Sequence, residues 1–158
     1  MENKACCFTG HRELPANKMA KIREKLTEQL EKLIEQGFCD FYAGGALGFD
    51  TLAALCVLEL KKDNPHIRLH IIVPCKNQSA GWNEKNRSLY EKINEQADEV
   101  NCLSPVYFNG CMMVRNRYMV DRACVCIAYL EKTTGGSAAT VKYAKQKQLD
   151  IINIASML

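Results

Sequence analysis

Short apolar runs alternate along this chain with longer stretches in which apolar residues recur every three or four positions. KACCFTG (4–10) has the composition of a strand. In the following NKMAKIREKLTEQLEKLIEQG, Met19, Ile22, Leu26, Leu30, Leu33 and Ile34 share one helical face with charges between them, and Gly37 closes the helix. FCDFYA (38–43) predicts a second strand and GFDTLAALCVLELKK (48–62) a second helix, broken at Asn64-Pro65. IRLHIIVP (67–74) is a third strand, and NRSLYEKINEQA (86–97) a third helix after a polar loop. DEVNCLS (98–104) is a weaker fourth strand, followed by a helix in MMVRNRYMVDRA (112–123). ACVCIAYL (123–130), GGSAATVKYAKQKQ (135–148) and DIINIA (150–155) complete the pattern as strand, helix and strand. No repeat, low-complexity tract or linker interrupts it. Such alternation predicts an α/β fold, a mostly parallel sheet with helices on both faces, and 158 residues suit one domain spanning the chain. The strand order expected is 3-2-1-4-5 with the last strand at an edge.

In sheets of this kind ligands bind outside the carboxyl ends of the strands. The unusual residues gather there: TGHR after the first strand, GGALGFD after the second, PCKNQSAGW after the third, SPVYFNGCMMVRNR after the fourth and EKTTGGS after the fifth. The segments that enter strands, such as EQGFCD and KDNPH, are ordinary turn sequence. This asymmetry predicts a ligand cleft.

Composition narrows the class. The chain is 47% hydrophobic and 25% charged, as in an ordinary globular protein. No run approaches the roughly 20 apolar residues of a membrane span, so no membrane insertion is expected. MENKACCFTG lacks the features of a secretion leader. The net charge of +3 is small, and Lys and Arg are interspersed with Glu and Asp, so nucleic acid is not the favoured partner. Nine cysteines without C-x-x-C spacing suit buried thiols in a reducing cytoplasm. Cys6, Cys7, Cys102, Cys124 and Cys126 lie in strand-like runs, Cys124 and Cys126 are placed on one face by their spacing, and Cys75 and Cys111 fall in loops. No metal site is visible. Leu55 and Leu58 suit either a core or a subunit interface, and a homo-oligomer is expected.

Gly44, Gly45 and Gly48 suit either close packing or an anion held against bare backbone N–H groups at a helix start. They form neither G-x-x-x-x-G-K-[ST] nor G-x-G-x-x-G. Asp50 is an acceptor for a ribose hydroxyl, an anchor for the TGHR loop, or simply a favourable first-turn acid. Gly135, Gly136 and Ser137 make a second glycine-rich helix start. Gly10, His11 and Arg12 stand at the mouth of the cleft. Arg115 and Arg117 project ~200° apart on a helix, so Arg115 is expected to face a phosphate bidentately, beside Asn116, while Arg117 packs elsewhere or pairs with Asp121. Gln78 and Trp82 lie in the third-strand loop, where Trp82 either stacks on a base or plugs the core edge; Tyr107 and Asn109 are weaker versions of the same idea. His66 and His70 read as structural.

CCFTGHR, GGALGFDTLAA, the P-C-x-x-Q-x-x-x-W loop, GCMMVRNRYMVD and GGSAATVKYA together resemble the YpsA-like family of the SLOG superfamily. The resemblance implies a Rossmann-like three-layer sandwich, bacterial relatives, and a site for a nucleotide or nucleotide-derived ligand. The superfamily includes the Lonely guy phosphoribohydrolases, which carry P-G-G-x-G-T-x-x-E; this chain has TGGSAATVK there, with Lys142 in place of the catalytic Glu. It also includes the DNA-processing protein A family, which has a run that Arg115-Asn116-Arg117 resembles. The function expected is a sensor or regulatory module for an ADP-ribose, NAD or AMP-type ligand. A nucleotide N-glycosidase using Asp50 or Asp121, and a single-stranded nucleic-acid module, are the alternatives.

Overall fold

A computed structural model describes residues 4–158, and residues 1–3, part of the stretch read for a leader, lie outside the described residues. Six strands, β1 (Ala5–Gly10), β2 (Asp40–Ala43), β3 (Arg68–Val73), β4 (Glu99–Cys102), β5 (Val125–Tyr129) and β6 (Asp150–Asn153), build one sheet. Five helices connect them: α1 (Met19–Glu35), α2 (Phe49–Lys61), α3 (Glu84–Gln96), α4 (Cys111–Asp121) and α5 (Gly136–Gln146). Every strand pair is parallel. The fold is thus the parallel α/β sandwich that the alternation predicts, and Rossmann-like as the resemblance implies.

The two-residue period of each strand divides the core. Phe8, Phe41, Leu69, Ile71 and Ile127 point to one face, where α1 lays down Ile22, Leu26, Leu30 and Leu33 and α2 lays down Leu52, Ala53, Cys56 and Val57. Cys7, Ile72 and Cys126 point to the other, under Met119 and Val120 of α4 and Ala144 of α5. Among the described residues no helix is long and apolar enough to cross a membrane.

The strand order corrects the expectation. It is β4-β3-β2-β1-β5-β6, so β4 lies outside β3 and β5 is the strand beside β1. Burial gives the reason: all of VCIAY in β5 is interior, whereas Val100 of β4 is 45% exposed. A polar strand tolerates an edge, and a wholly apolar one does not. The chain winds outward from β1 to β4, and α4 then crosses back beneath β3 and β1 to start β5. The sheet order therefore reverses between β1 and β5, which sets the crevice at their carboxyl ends.

Three cysteine placements also change. Cys102 is exposed on edge strand β4, and Cys111 is the first residue of α4, buried at 1% exposure, whereas Cys75 does lie in a loop, buried at 2%. Cys124 precedes β5 and packs toward the α1–α2 layer, away from Cys126, so strand alternation does not govern that pair. His70 is structural: Nδ1 lies 2.8 Å from Glu99 Oε1, Nε2 lies 2.8 Å from Asp40 Oδ1, and the ring stacks on Tyr42.

Candidate functional site

A cleft of about 570 Å³ opens at the carboxyl ends of β1 and β5. Its size suits a small organic ligand. Gly10, His11 and Arg12 form one wall, and Arg115 and Asn116 of α4 form another. Gly135, Gly136 and Ser137 close it from the side of α5. Asp50 reaches its floor from α2.

The start of α2 is filled by the protein itself. Gly48 has φ +79°, and a Cβ there would lie 2.5 Å from the His11 carbonyl oxygen and closer still to that of Arg12. The Phe49 N–H donates to the His11 carbonyl at 3.1 Å, so a backbone oxygen occupies the position an anion would take. A Cβ on Gly44 would lie 2.6 Å from Arg115 Nη1 and 2.8 Å from Asp50 Oδ2. Gly45, at φ +71°, accepts from Gln78 Nε2 at 3.1 Å. Of this loop it is Ala46, not the glycines, that borders the cleft. Of the two roles open to Gly44, Gly45 and Gly48, these contacts support packing. Gly10 is a packing position as well as a cleft residue, since a Cβ there would lie 2.5 Å from Phe49 Cβ.

Arg115 is the keystone of that loop. It is only 4% exposed. Its Nη1 donates to the Gly44 carbonyl and lies 3.4 Å from both the Ile72 carbonyl and Gln78 Oε1. Nε donates to Asn116 Oδ1 at 2.7 Å. Nη1 and Nε are thus engaged by the chain, whereas among the described residues Nη2 has only Met112 Sδ at 3.8 Å, and the residue borders the cleft. Asn116 passes the connection on: its Nδ2 donates to Thr140 Oγ1 at 2.9 Å, and that hydroxyl donates to the Gly136 carbonyl at 2.8 Å. One hydrogen-bonded chain therefore links the Gly44 loop to the start of α5. Asp50, 7% exposed, accepts from the Ala46 N–H at 3.4 Å. Burial pushes its carboxyl up to about 6, against the opposing pull of Arg115. Burial likewise lowers the Arg115 pKa, and Asp50 opposes that.

The start of α5 is different. Gly135 has φ +101°, and a Cβ on Gly135 or Gly136 would meet nothing within 4 Å. No side chain caps this helix. Its first-turn N–H groups and positive dipole end face the cleft. Lys132 and Arg12, both exposed, bring cations to the same space. His11 fixes the loop: its Nε2 accepts from the Glu131 N–H at 2.9 Å, which requires the tautomer with the proton on Nδ1. The ring also meets Tyr129 edge-on at 6.0 Å.

Gln78, Trp82 and Asp121 are not on the cleft lining. Gln78 braces the Gly44-Gly45 turn from behind. Trp82 packs edge-on against Tyr90 at 5.2 Å, and its carbonyl accepts from Arg87 at 2.8 Å. Asp121 accepts from the Tyr143 hydroxyl at 2.7 Å at the far end of α4, and Arg117 lies over the Tyr143 ring instead of pairing with Asp121. Lys132 and Glu13 border the cleft without having been singled out from the sequence. The signal for the first was adjacency to Gly135-Gly136. Glu13, one residue beyond GHR, had none.

A family model described as the YspA SLOG family (YpsA) matches residues 6–156, and the chain belongs to that family. It is 33% identical over 144 residues to the uncharacterized SPbeta prophage-derived protein YoqJ of Bacillus subtilis, covering 83% of this chain and 84% of that one. A UPF0398 protein of Halalkalibacterium halodurans is 32% identical over 130 residues, covering 80% of this chain and 69% of the relative. Among solved structures, DNA processing protein A from Helicobacter pylori, described for its single-stranded DNA binding mode, superposes with TM-score 0.66 at 18% identity over 94% of this chain. The same protein from Streptococcus pneumoniae gives 0.66 at 20% identity, again over 94% of the chain. This chain spans 64% and 49% of those two, and at such identity the likeness is one of fold.

Proposed function

We propose that the cleft binds a nucleotide-type small molecule of the ADP-ribose, NAD or AMP kind, and that the protein acts as a sensor or regulatory module. The observation that carries this is the open start of α5, where uncapped N–H groups and two glycines without neighbours stand beside Lys132 and Arg12. Backbone donors, a helix dipole and free cations together suit a phosphate. Glu13 and Asp50 are the carboxylates within reach of a sugar hydroxyl in such a pose. Most of the countercharge falls to Lys132 and Arg12, because Nη1 and Nε of Arg115 are held by the Gly44 carbonyl and Asn116.

The test is calorimetric titration of the protein and of Lys132→Met with AMP, ADP, NAD and ADP-ribose, each mixture then assayed for free base. Binding of one of them, weakened about tenfold in the variant, equivalent to ~1.4 kcal/mol, is the expected result. Released base would instead assign an N-glycosidase. In that case Asp50 or Glu13 would have to serve, because Lys142 and Asp121 both lie off the cleft lining. Failure of all four to bind would overturn the proposal.

A further inference from the structure

Lys and Arg are balanced by Asp and Glu over most of the chain, but one continuous stretch is basic. Residues 111–148 carry seven lysines and arginines against Asp121 and Glu131, a net of +5, while the other 120 residues carry 14 against 16, a net of −2. This stretch is α4, β5 and α5, and β5 is interior, so the excess lies on the helix pair that covers one face of the sheet and on the adjoining loops. Arg115 is buried and Lys132 borders the cleft. The remaining five, Arg117, Arg122, Lys142, Lys145 and Lys147, are exposed.

Three of the five are already held in place. The Arg117 guanidinium lies 5.1 Å and the Lys147 ammonium 5.5 Å from the centroid of the Tyr143 ring, and Arg122 lies 3.4 Å from that of Tyr118. A cation resting on an aromatic ring loses less side-chain freedom when it meets an anion. The same contacts cover ring faces that single-stranded nucleic acid would use for stacking its bases. A groove of about 460 Å³ lies past the ends of α4 and α5, with Arg122 and Lys147 on its border, Asp121 there too but taken by the Tyr143 hydroxyl, and Ala123 and Leu149 supplying apolar surface. Fixed cations next to a partly apolar groove match a polypeptide, which presents carboxylates and an apolar side chain together.

We infer that the α4–α5 face docks an acidic segment of a protein partner, with its carboxylates on Arg117, Lys142 and Lys147 and an apolar side chain in the groove. This surface is separate from the cleft, and its occupancy does not depend on what the cleft binds.

The experiment is fluorescence anisotropy at low and high salt, using a labelled peptide of about eight glutamates interrupted by a leucine, and labelled oligo(dT) of about 20 nucleotides as the competing class. Arg117→Glu/Lys147→Glu is compared with Lys85→Glu/Lys92→Glu, which changes net charge equally on α3, across the sheet. Peptide binding that falls at least about tenfold in the first variant, and no more than about twofold in the second, is expected. Equal weakening in both would reduce the effect to net charge and overturn the inference. So would tighter binding of oligo(dT), or no peptide binding at low salt. Circular dichroism checks that each variant folds, and the single change Lys142→Glu carries the same test if the double variant does not.

Discussion

The helices α2 and α5 each begin behind a glycine pair at the carboxyl end of a strand, on two sides of the same cleft. At α2 the space beside the glycines is taken: carbonyls of His11 and Arg12 press on Gly48, and the Arg115 guanidinium presses on Gly44. At α5 the space beside Gly135 and Gly136 is empty. The same residue type thus serves two ends. At one helix it lets polypeptide approach polypeptide, and a backbone oxygen satisfies the helix start. At the other it leaves the helix start bare. Glycine content alone does not separate a packing turn from an anion site; what stands opposite the missing Cβ does.

The largest effect separating the two follows from this. Gly48→Ala would force a methyl against two backbone carbonyls at a positive φ, where neither neighbour can swing aside. A loss of at least ~3 kcal/mol is expected, visible as a greatly lowered denaturant midpoint or as failure to fold. Gly135→Ala bears a positive-φ penalty without the clash and should cost about 1 kcal/mol. Equal losses at the two positions would break the comparison.

Arg115→Met comes next. It leaves the Gly44 carbonyl and Asp50 without their cation in a buried site, and removing one member of such a pair costs ~3–5 kcal/mol. Lys132→Met, on the exposed side of the cleft, should change stability by less than about 0.5 kcal/mol. Chemical denaturation of both distinguishes a structural arginine from a ligand-facing lysine. A near-neutral Arg115→Met would return that residue to the role of phosphate partner.

Asp50 gives a pH signature to the closed side. Its folded-state pKa of about 6 lies above the ordinary value of 3.8, so the folded protein holds this proton more tightly than the unfolded chain does. The resulting stability is fully present below pH 3.8 and is lost as pH rises through about 6. The difference corresponds to about 3 kcal/mol. Asp50→Asn should remove that slope, which unfolding curves from pH 4 to 7 would show directly. At pH 7 the variant should be at least as stable as the parent. A slope that persists in the variant belongs to other groups.

Much of this was legible beforehand. Among the described residues the two-residue and three-to-four-residue periods located every strand and every α-helix, and the segments after β1, β2, β4 and β5 converge on one cleft, while the one after β3 does not border it. The strand order was not legible from periodicity, although the polar character of EVNC against the unbroken apolar run VCIAY marked one strand as an edge and the other as central. Arg115 borders the cleft as its spacing predicts, but its sequence neighbours do not reveal that Gly44 and Ile72, far away in the chain, present carbonyls to it. Of the two readings open for Trp82, packing is the one found: its partner Tyr90 belongs to the following helix. Spacing shows which way a side chain points, and only tertiary contacts show whether something already waits there.

The smallest effect on stability is also the sharpest test of the open side. Gly136 is the first residue of α5 and borders the cleft, with open space where a Cβ would stand. In a helix, Gly→Ala removes unfolded-chain entropy, so Gly136→Ala should stabilise the protein slightly, by up to ~1 kcal/mol. If a phosphate rests on the bare N–H groups there, the added methyl intrudes on it, and affinity for the responsive nucleotide should fall about tenfold. Thermal melting and calorimetry of the one variant then move in opposite directions. A stabilised protein with unchanged affinity would mean that this glycine serves the turn alone, and the two helix starts would differ in packing but not in purpose.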